Sequence, residues 1–155
     1  MYKLCKTEQS AARQRELELA LAAMMLVRRY EDISVSEFCS YVGIPRKAFY
    51  RYFSGKDGAL YALIDHALMD YDMYAAFPEQ GKEMTPMDYM KGVFRYWVYH
   101  KELLDALRKS GLSGLLIQRA MEYSNDMDTI PRFLQIGDRR LREYGTMFMV
   151  CGLMT

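Results

Sequence analysis

A Ser34-Val35-Ser36-Glu37 box, followed by Gly43 and Pro45, confines residues 34–53 to two short helices joined by a tight corner. The Ser34 hydroxyl can accept from the Glu37 amide while the Glu37 carboxylate reaches back to the Ser34 amide, satisfying donors that a helix start leaves bare. Ile33 before the cap and Phe38 after it stand where a hydrophobic staple places its two apolar residues. The second helix is therefore predicted to be short, ending near Val42, where Gly43 supplies a backbone conformation that a side chain resists. Pro45 fits a first helical position, with its fixed φ and missing donor. The third helix is predicted from Arg46 to Tyr52 or Phe53, and Ser54-Gly55 breaks it before a long fourth helix starting near Lys56.

Helical period dominates the remainder, and strand-like alternation is scarce. A first helix is predicted over Thr7 to Arg29, with Leu19, Ala23, Leu26 and Tyr30 forming its apolar stripe. The fourth helix repeats its apolar face at Leu60, Leu63, Ile64, Ala67, Leu68 and Tyr71 and runs to about Ala75. A loop is expected at Phe77 to Lys82, after which Thr85-Pro86 opens a fifth helix with a cap and an N1 proline. A sixth helix is predicted from Lys101 to Lys109, stopped by Ser110-Gly111, and a seventh from Ser113 to Tyr123. Pro131 is expected to begin a short turn, and a last apolar helix starts near Asp138. That helix runs to Thr155 without a cap or polar exit, so either a C-terminal truncation, the preferred reading, or an apolar surface left for a partner is expected. The fold class expected is all-α, with an N-terminal three-helix unit at 1–55 and a helical body at 56–155.

A charged fraction of 26% and a hydrophobic fraction of 51% describe a folded chain. The net charge of +1 argues against a chain that coats nucleic acid. Its distribution is uneven, however. Residues 1–60 carry ten Lys or Arg against seven Asp or Glu, and the remainder carries eleven against thirteen. Cys5, Cys39 and Cys151 are odd in number and widely spaced, which suggests neither a disulfide framework nor zinc, and a reducing cytoplasm is the expected location. No signal-peptide stretch or membrane span is expected. His66 and His100 lack a ligand set, and no catalytic constellation or cofactor motif is visible, so neither metal, cofactor nor enzymatic activity is expected. Asp65, Asp70, Asp72 and Asp88 are expected on solvated helix faces, Cys39 in the small core as an inert thiol, and Phe49 and Phe53 in the same core.

Three helices with a glycine-containing turn between the second and third form a helix-turn-helix, whose third helix enters the DNA major groove. Arg46, Lys47 and Arg51, with Tyr50 and Tyr52, give that helix cations for phosphate and groups able to meet base edges. The run from Ile33 to Phe38 and that from Val42 to Asp57 together resemble the TetR-family DNA-binding signature. That signature has a Thr/Ser-Val start, a Gly-Val-Ser turn, a Thr-Leu/Phe-Tyr-x-Tyr/His-Phe reading helix and a Lys-Glu/Asp opening of the next helix. Residues His100 to Leu104 and Ser110 to Leu112 are also similar to C-terminal domains in one branch of the family.

The resemblance implies a ligand-responsive transcription regulator, more often a repressor, acting as a homodimer on a palindromic double-stranded operator. It implies phosphate contacts from Ser34 and Ser36, a backbone grip from Tyr50, Tyr52 and Lys56, and base reading by Arg46 and Lys47, with Pro45 and Arg51 in the same interface. Pro45 and Ala48 depart from the family's usual Ser and Thr, and Pro45 removes a hydroxyl cap. The resemblance further implies a small-molecule effector bound within the body, for which Met90, Phe94, Trp97, His100 and Met121 are the candidate lining residues. The other function consistent with these residues is a coactivator or protein-partner module whose helical body docks another regulator.

Overall fold

The computed structural model describes residues 1–75, 85–125 and 139–154. Among them the helices are α1 (Glu8–Val27), a 3-10 turn (Tyr30–Asp32), α2 (Val35–Val42), α3 (Arg46–Tyr52), α4 (Lys56–Ala75), α5 (Pro86–Tyr99), α6 (Lys101–Lys109), α7 (Ser113–Ser124) and α8 (Arg139–Met154). The described residues hold no named β-strand; Tyr2 and Phe53 form an isolated antiparallel bridge. None of the described helices is long and apolar enough to cross a membrane. The expected loop at 77–82 and the turn at Pro131 lie outside the described residues.

The chain divides into two compact units, Met1–His66 and Ala67–Thr155. This division falls inside α4, eleven residues beyond the boundary expected at 55/56. The reason lies in the polar contacts of the first half of α4: Lys56, Asp57, Asp65 and His66 all bond to residues between Tyr2 and Glu31.

In the first unit, Thr7 caps α1 by accepting from the Ser10 amide at 3.2 Å. The buried face of α1 is Gln14, Leu17, Glu18, Leu21, Met24 and Met25. The expected stripe is corrected here: Leu19 is 63% exposed, Leu26 is 40% exposed and Ala23 faces solvent, while Tyr30 is buried in the 3-10 turn beyond the helix. Two polar residues on the inner face break the apolar period, and each finds a partner inside. Gln14 Oε1 accepts from Cys5 Sγ at 2.7 Å, and the Glu18 carboxylate faces Arg15 and His66. Ile33, Phe38, Cys39, Phe49 and Phe53 complete the small core, with Phe49 in edge or tilted contact with both Phe38 and Phe53. Leu60, Leu63 and Ile64 of α4 are buried as their spacing predicts.

The second unit builds on α7 and α8, which pack along each other, with α6 against both and α5 against α6. Thr85 and Asp88 form a capping box at the start of α5, and Pro86 occupies its first turn. Gly111, with φ of +69°, ends α6; its amide bonds the Arg108 carbonyl while the Leu112 amide bonds Leu107. Tyr89, Val93, Tyr96 and Trp97 of α5, Leu104 and Leu107 of α6, Leu116 and Ala120 of α7 and Val150 of α8 form its core. The buried Tyr96 hydroxyl donates to the Ala67 carbonyl at 2.9 Å, which joins α5 to the second half of α4.

Candidate nucleic-acid interface

The corner between α2 and α3 follows from local chemistry. Ser34 accepts from the Glu37 amide at 3.2 Å, and Glu37 accepts from the Ser34 amide at 2.9 Å, so the capping box is closed from both sides. These bonds, with the Arg28 guanidinium at 3.0 Å, hold the Glu37 carboxyl well below its usual range, at about 2. Ile33 and Phe38 are both buried across the cap. Gly43 adopts φ of +71°, and the Ile44 amide returns to the Cys39 carbonyl at 2.9 Å. Pro45 precedes the first helical residue of α3 with φ of −70°, and the Ala48 and Phe49 amides both turn back to its carbonyl.

This corner puts Phe49 inside and the polar side chains of α3 outside. Arg46, Lys47, Tyr50 and Arg51 are exposed, as are Ser34, Ser36 and Pro45, while Tyr52 is half-buried. Arg46 and Tyr50 stand one turn apart; a guanidinium N–H donates to the Tyr50 hydroxyl at 3.4 Å. The Arg51 guanidinium lies 6.0 Å from the Tyr52 ring centroid.

The distribution of ion pairs concentrates positive charge on this surface. Among the described residues of the first unit, Arg13, Arg15, Arg28 and Arg29 each pair with a glutamate. Among the described residues, Lys47 and Arg51 on α3, and Lys3 and Lys6 before α1, have no carboxylate partner, and Arg46 bonds only to a neutral hydroxyl. The modest surplus visible in the sequence is therefore gathered on α3 and the N-terminal segment.

Lys56 has a different setting. Its ammonium donates to the Tyr30 carbonyl at 2.7 Å and to the Glu31 carbonyl at 3.3 Å, and it lies 4.3 Å from the Tyr30 ring centroid. Beside it, the Tyr30 hydroxyl donates to Asp57 at 2.5 Å, and burial with the neighbouring carboxylate pushes this phenol well above its usual range. Two of the three Lys56 donors thus fasten the start of α4 to the turn after α1. Cys39 is buried, and burial pushes its thiol up, which keeps it protonated at neutral pH.

Sequence reasoning missed a buried polar cluster between α1 and α4. Glu18 is fully buried; its carboxylate lies 2.8 Å from His66 Nδ1 and 3.2 Å from an Arg15 guanidinium nitrogen. Asp65, expected on a solvated face, is instead buried and accepts from the Tyr2 hydroxyl at 3.0 Å, while the Tyr2 and His66 rings meet edge to face. The correction has a simple cause: the partner lies 63 residues away in sequence. Asp88 does face solvent, as a cap.

The candidate effector residues occupy different surroundings. Trp97 is buried and meets Tyr96 at 5.3 Å between ring centroids, and His100 meets the other side of Tyr96 at 4.4 Å. Phe94 is 45% exposed and Met90 half-buried. Met121 lines a cleft of 320 Å³ between α7 and α8, together with Gln118, Asn125, Arg139 and Glu143. Compared with known proteins, the chain matches no family model and no curated protein.

Proposed function

We propose that this chain is a sequence-specific DNA-binding transcription regulator that uses α2 and α3 as a helix-turn-helix. The observation that carries the reading is the outer face of α3: Arg46, Lys47 and Arg51 are exposed and, among the described residues, without carboxylate partners, on a corner fixed by a closed capping box and a left-handed glycine. Arg46 and Lys47 read base edges in the major groove, with Arg46 suited to the O6 and N7 acceptors of guanine. Arg51, Tyr50, Tyr52 and the Ser34 and Ser36 hydroxyls hold phosphates. Lys56 serves this face by fixing α4 against the Tyr30 turn.

The proposed working form is a homodimer on a palindromic operator, with two α3 helices about 34–36 Å apart. Leu141, Tyr144 and Phe148 support this, because they form a bare stripe along α8 at 53%, 65% and 82% exposure, while Val150 is buried. Repression relieved by a small effector in the second unit completes the proposal; such a ligand lowers DNA affinity by the factor with which it prefers the DNA-free form.

A gel shift with the DNA upstream of the chain's own gene tests the reading. Salt-sensitive, palindrome-dependent binding is expected. Arg46→Ala should cost about 1–3 kcal/mol at particular base pairs and little elsewhere. Absence of binding at low salt, or an equal Arg46→Ala loss on every sequence, overturns the assignment of α3 as reader.

A further inference from the structure

The N-terminal segment does not hang free of the helix-turn-helix. The Lys3 amide donates to the Tyr52 carbonyl at 2.9 Å, the Ser54 amide to the Met1 carbonyl at 3.1 Å, and Tyr2 bridges Phe53 between them. The Ser54 hydroxyl also donates to the Met1 carbonyl, at 2.5 Å, and the Lys3 ammonium reaches the Tyr50 carbonyl at 3.4 Å. On α4, Gly58 makes room for this pairing: a Cβ there would run into the Met1 carbonyl oxygen. The segment is thus held in register, by one isolated bridge and its flanking hydrogen bonds, against the residues that end α3.

This register brings cations of two distant parts of the sequence to one place. Lys3, Lys6, Arg51 and Tyr52 line one open cleft with Thr7 and Ser10. An adjoining cleft shares Thr7, Ser10, Arg51 and Tyr52 and continues along α1 past Arg13. Lys3 and Lys6 are exposed, and among the described residues neither they nor Arg51 pair with a carboxylate. The adjoining cleft is also lined by Arg13 and Glu16, which pair with each other, and elsewhere in the first unit Arg15, Arg28 and Arg29 have glutamate partners. Lys3, Lys6 and Arg51, unneutralised and solvated along an open groove, suit a chain of phosphates, whereas a single small anion calls for an enclosing set of donors.

We propose that residues 3–10 form a second DNA-contacting limb, in which Lys3 and Lys6, with the Thr7 and Ser10 hydroxyls, hold backbone phosphates beside those held by Arg51 and Tyr52. The inference rests on the helix-turn-helix reading and extends its footprint along the strand. These contacts add affinity without reading sequence, since they reach phosphate and not base edges.

The test is fluorescence anisotropy with two labelled duplexes of about three helical turns, one from upstream of the gene and one of arbitrary sequence, each titrated across a series of salt concentrations. The double variant Lys3→Gln/Lys6→Gln is expected to flatten the slope of log affinity against log salt by about 1.8, from about 0.9 for each lost contact, and equally on both duplexes. Lys6→Gln alone, whose side chain makes no hydrogen bond or ion pair among the described residues, should give about half of that change with an unchanged thermal melt. The control Lys91→Gln/Lys101→Gln removes the same charge from exposed positions of the second unit and should leave the slope as it was. An unchanged slope for Lys6→Gln, or an equal change in the control, overturns the limb while leaving α3 in place. Strong competition by inorganic phosphate over chloride at equal ionic strength also overturns it, because the clefts would then hold a small anion. Failure of the unsubstituted protein to bind either duplex instead removes the underlying helix-turn-helix reading.

Discussion

His66 Nδ1 on α4 stands 2.8 Å from the fully buried carboxylate of Glu18 on α1, across 48 residues of sequence. The pair ties the fourth helix to the first. Removing one partner leaves the other poorly satisfied, whereas removing both leaves no fully buried charge, the Arg15 side chain being 33% exposed. His66→Leu is expected to cost about 1–3 kcal/mol, discounted from the cost in a fully buried pair because His66 is 23% exposed and Arg15 remains. Urea unfolding of both single variants and of Glu18→Leu/His66→Leu should show the double variant more stable than the sum of its parts. Simple additivity would mean the two groups do not support each other.

The Glu37 carboxylate supplies an acid-sensitive contribution at the start of α2. Its folded value of about 2 lies below the ordinary 4.5, so its stabilisation is complete above about 4.5 and disappears as pH falls toward 2. Glu37→Gln should therefore melt below the unsubstituted protein at pH 7, and the gap should close on acidification. A gap that persists unchanged at pH 2 would place the effect elsewhere than in the charge.

Lys56→Met is expected to act on folding more than on DNA. It removes the bonds to the Tyr30 and Glu31 carbonyls and the contact with the Tyr30 ring, with a loss of about 1–2 kcal/mol in denaturant unfolding. Its salt slope for DNA should stay near that of the unsubstituted protein. A fall of about one would show that the third donor of this ammonium holds a phosphate.

Gly43→Ala measures the backbone cost of the corner in isolation. Its φ is +71° and nothing lies within 4 Å of an added Cβ, so only the left-handed conformation is penalised, at about 1–2 kcal/mol. Thermal unfolding reads this directly, and a neutral substitution would show that the corner relaxes away from its left-handed form.

The α2–α3 corner was legible because every signal that builds it is local. Ser34 and Glu37 are three residues apart, Ile33 and Phe38 are five apart, and Gly43 and Pro45 sit at the turn itself. The limits of α5, α6 and α7 were readable for the same reason, from Thr85-Pro86 and Ser110-Gly111. The face of α1 was not, because its inner positions include Gln14 and Glu18, whose partners are Cys5 and His66. A periodicity argument counts those two as outward and turns the helix by the wrong angle. Asp65 was misplaced in the same way, since nothing near it in sequence announces Tyr2. The outward set on α3 was readable, but the absence of carboxylates around it depends on where every glutamate of the unit ends up.

The bridge between Tyr2 and Phe53 has a practical side for anyone handling the protein. Trypsin cuts after lysine, and Lys6 is exposed, so brief digestion can shed the first six residues, and with them the Tyr2 and Cys5 partners of buried Asp65 and Gln14. A partly nicked preparation would then hold two species of nearly the same mass and helix content that differ by two ammonium groups. Cation exchange would resolve them where a sizing column would not.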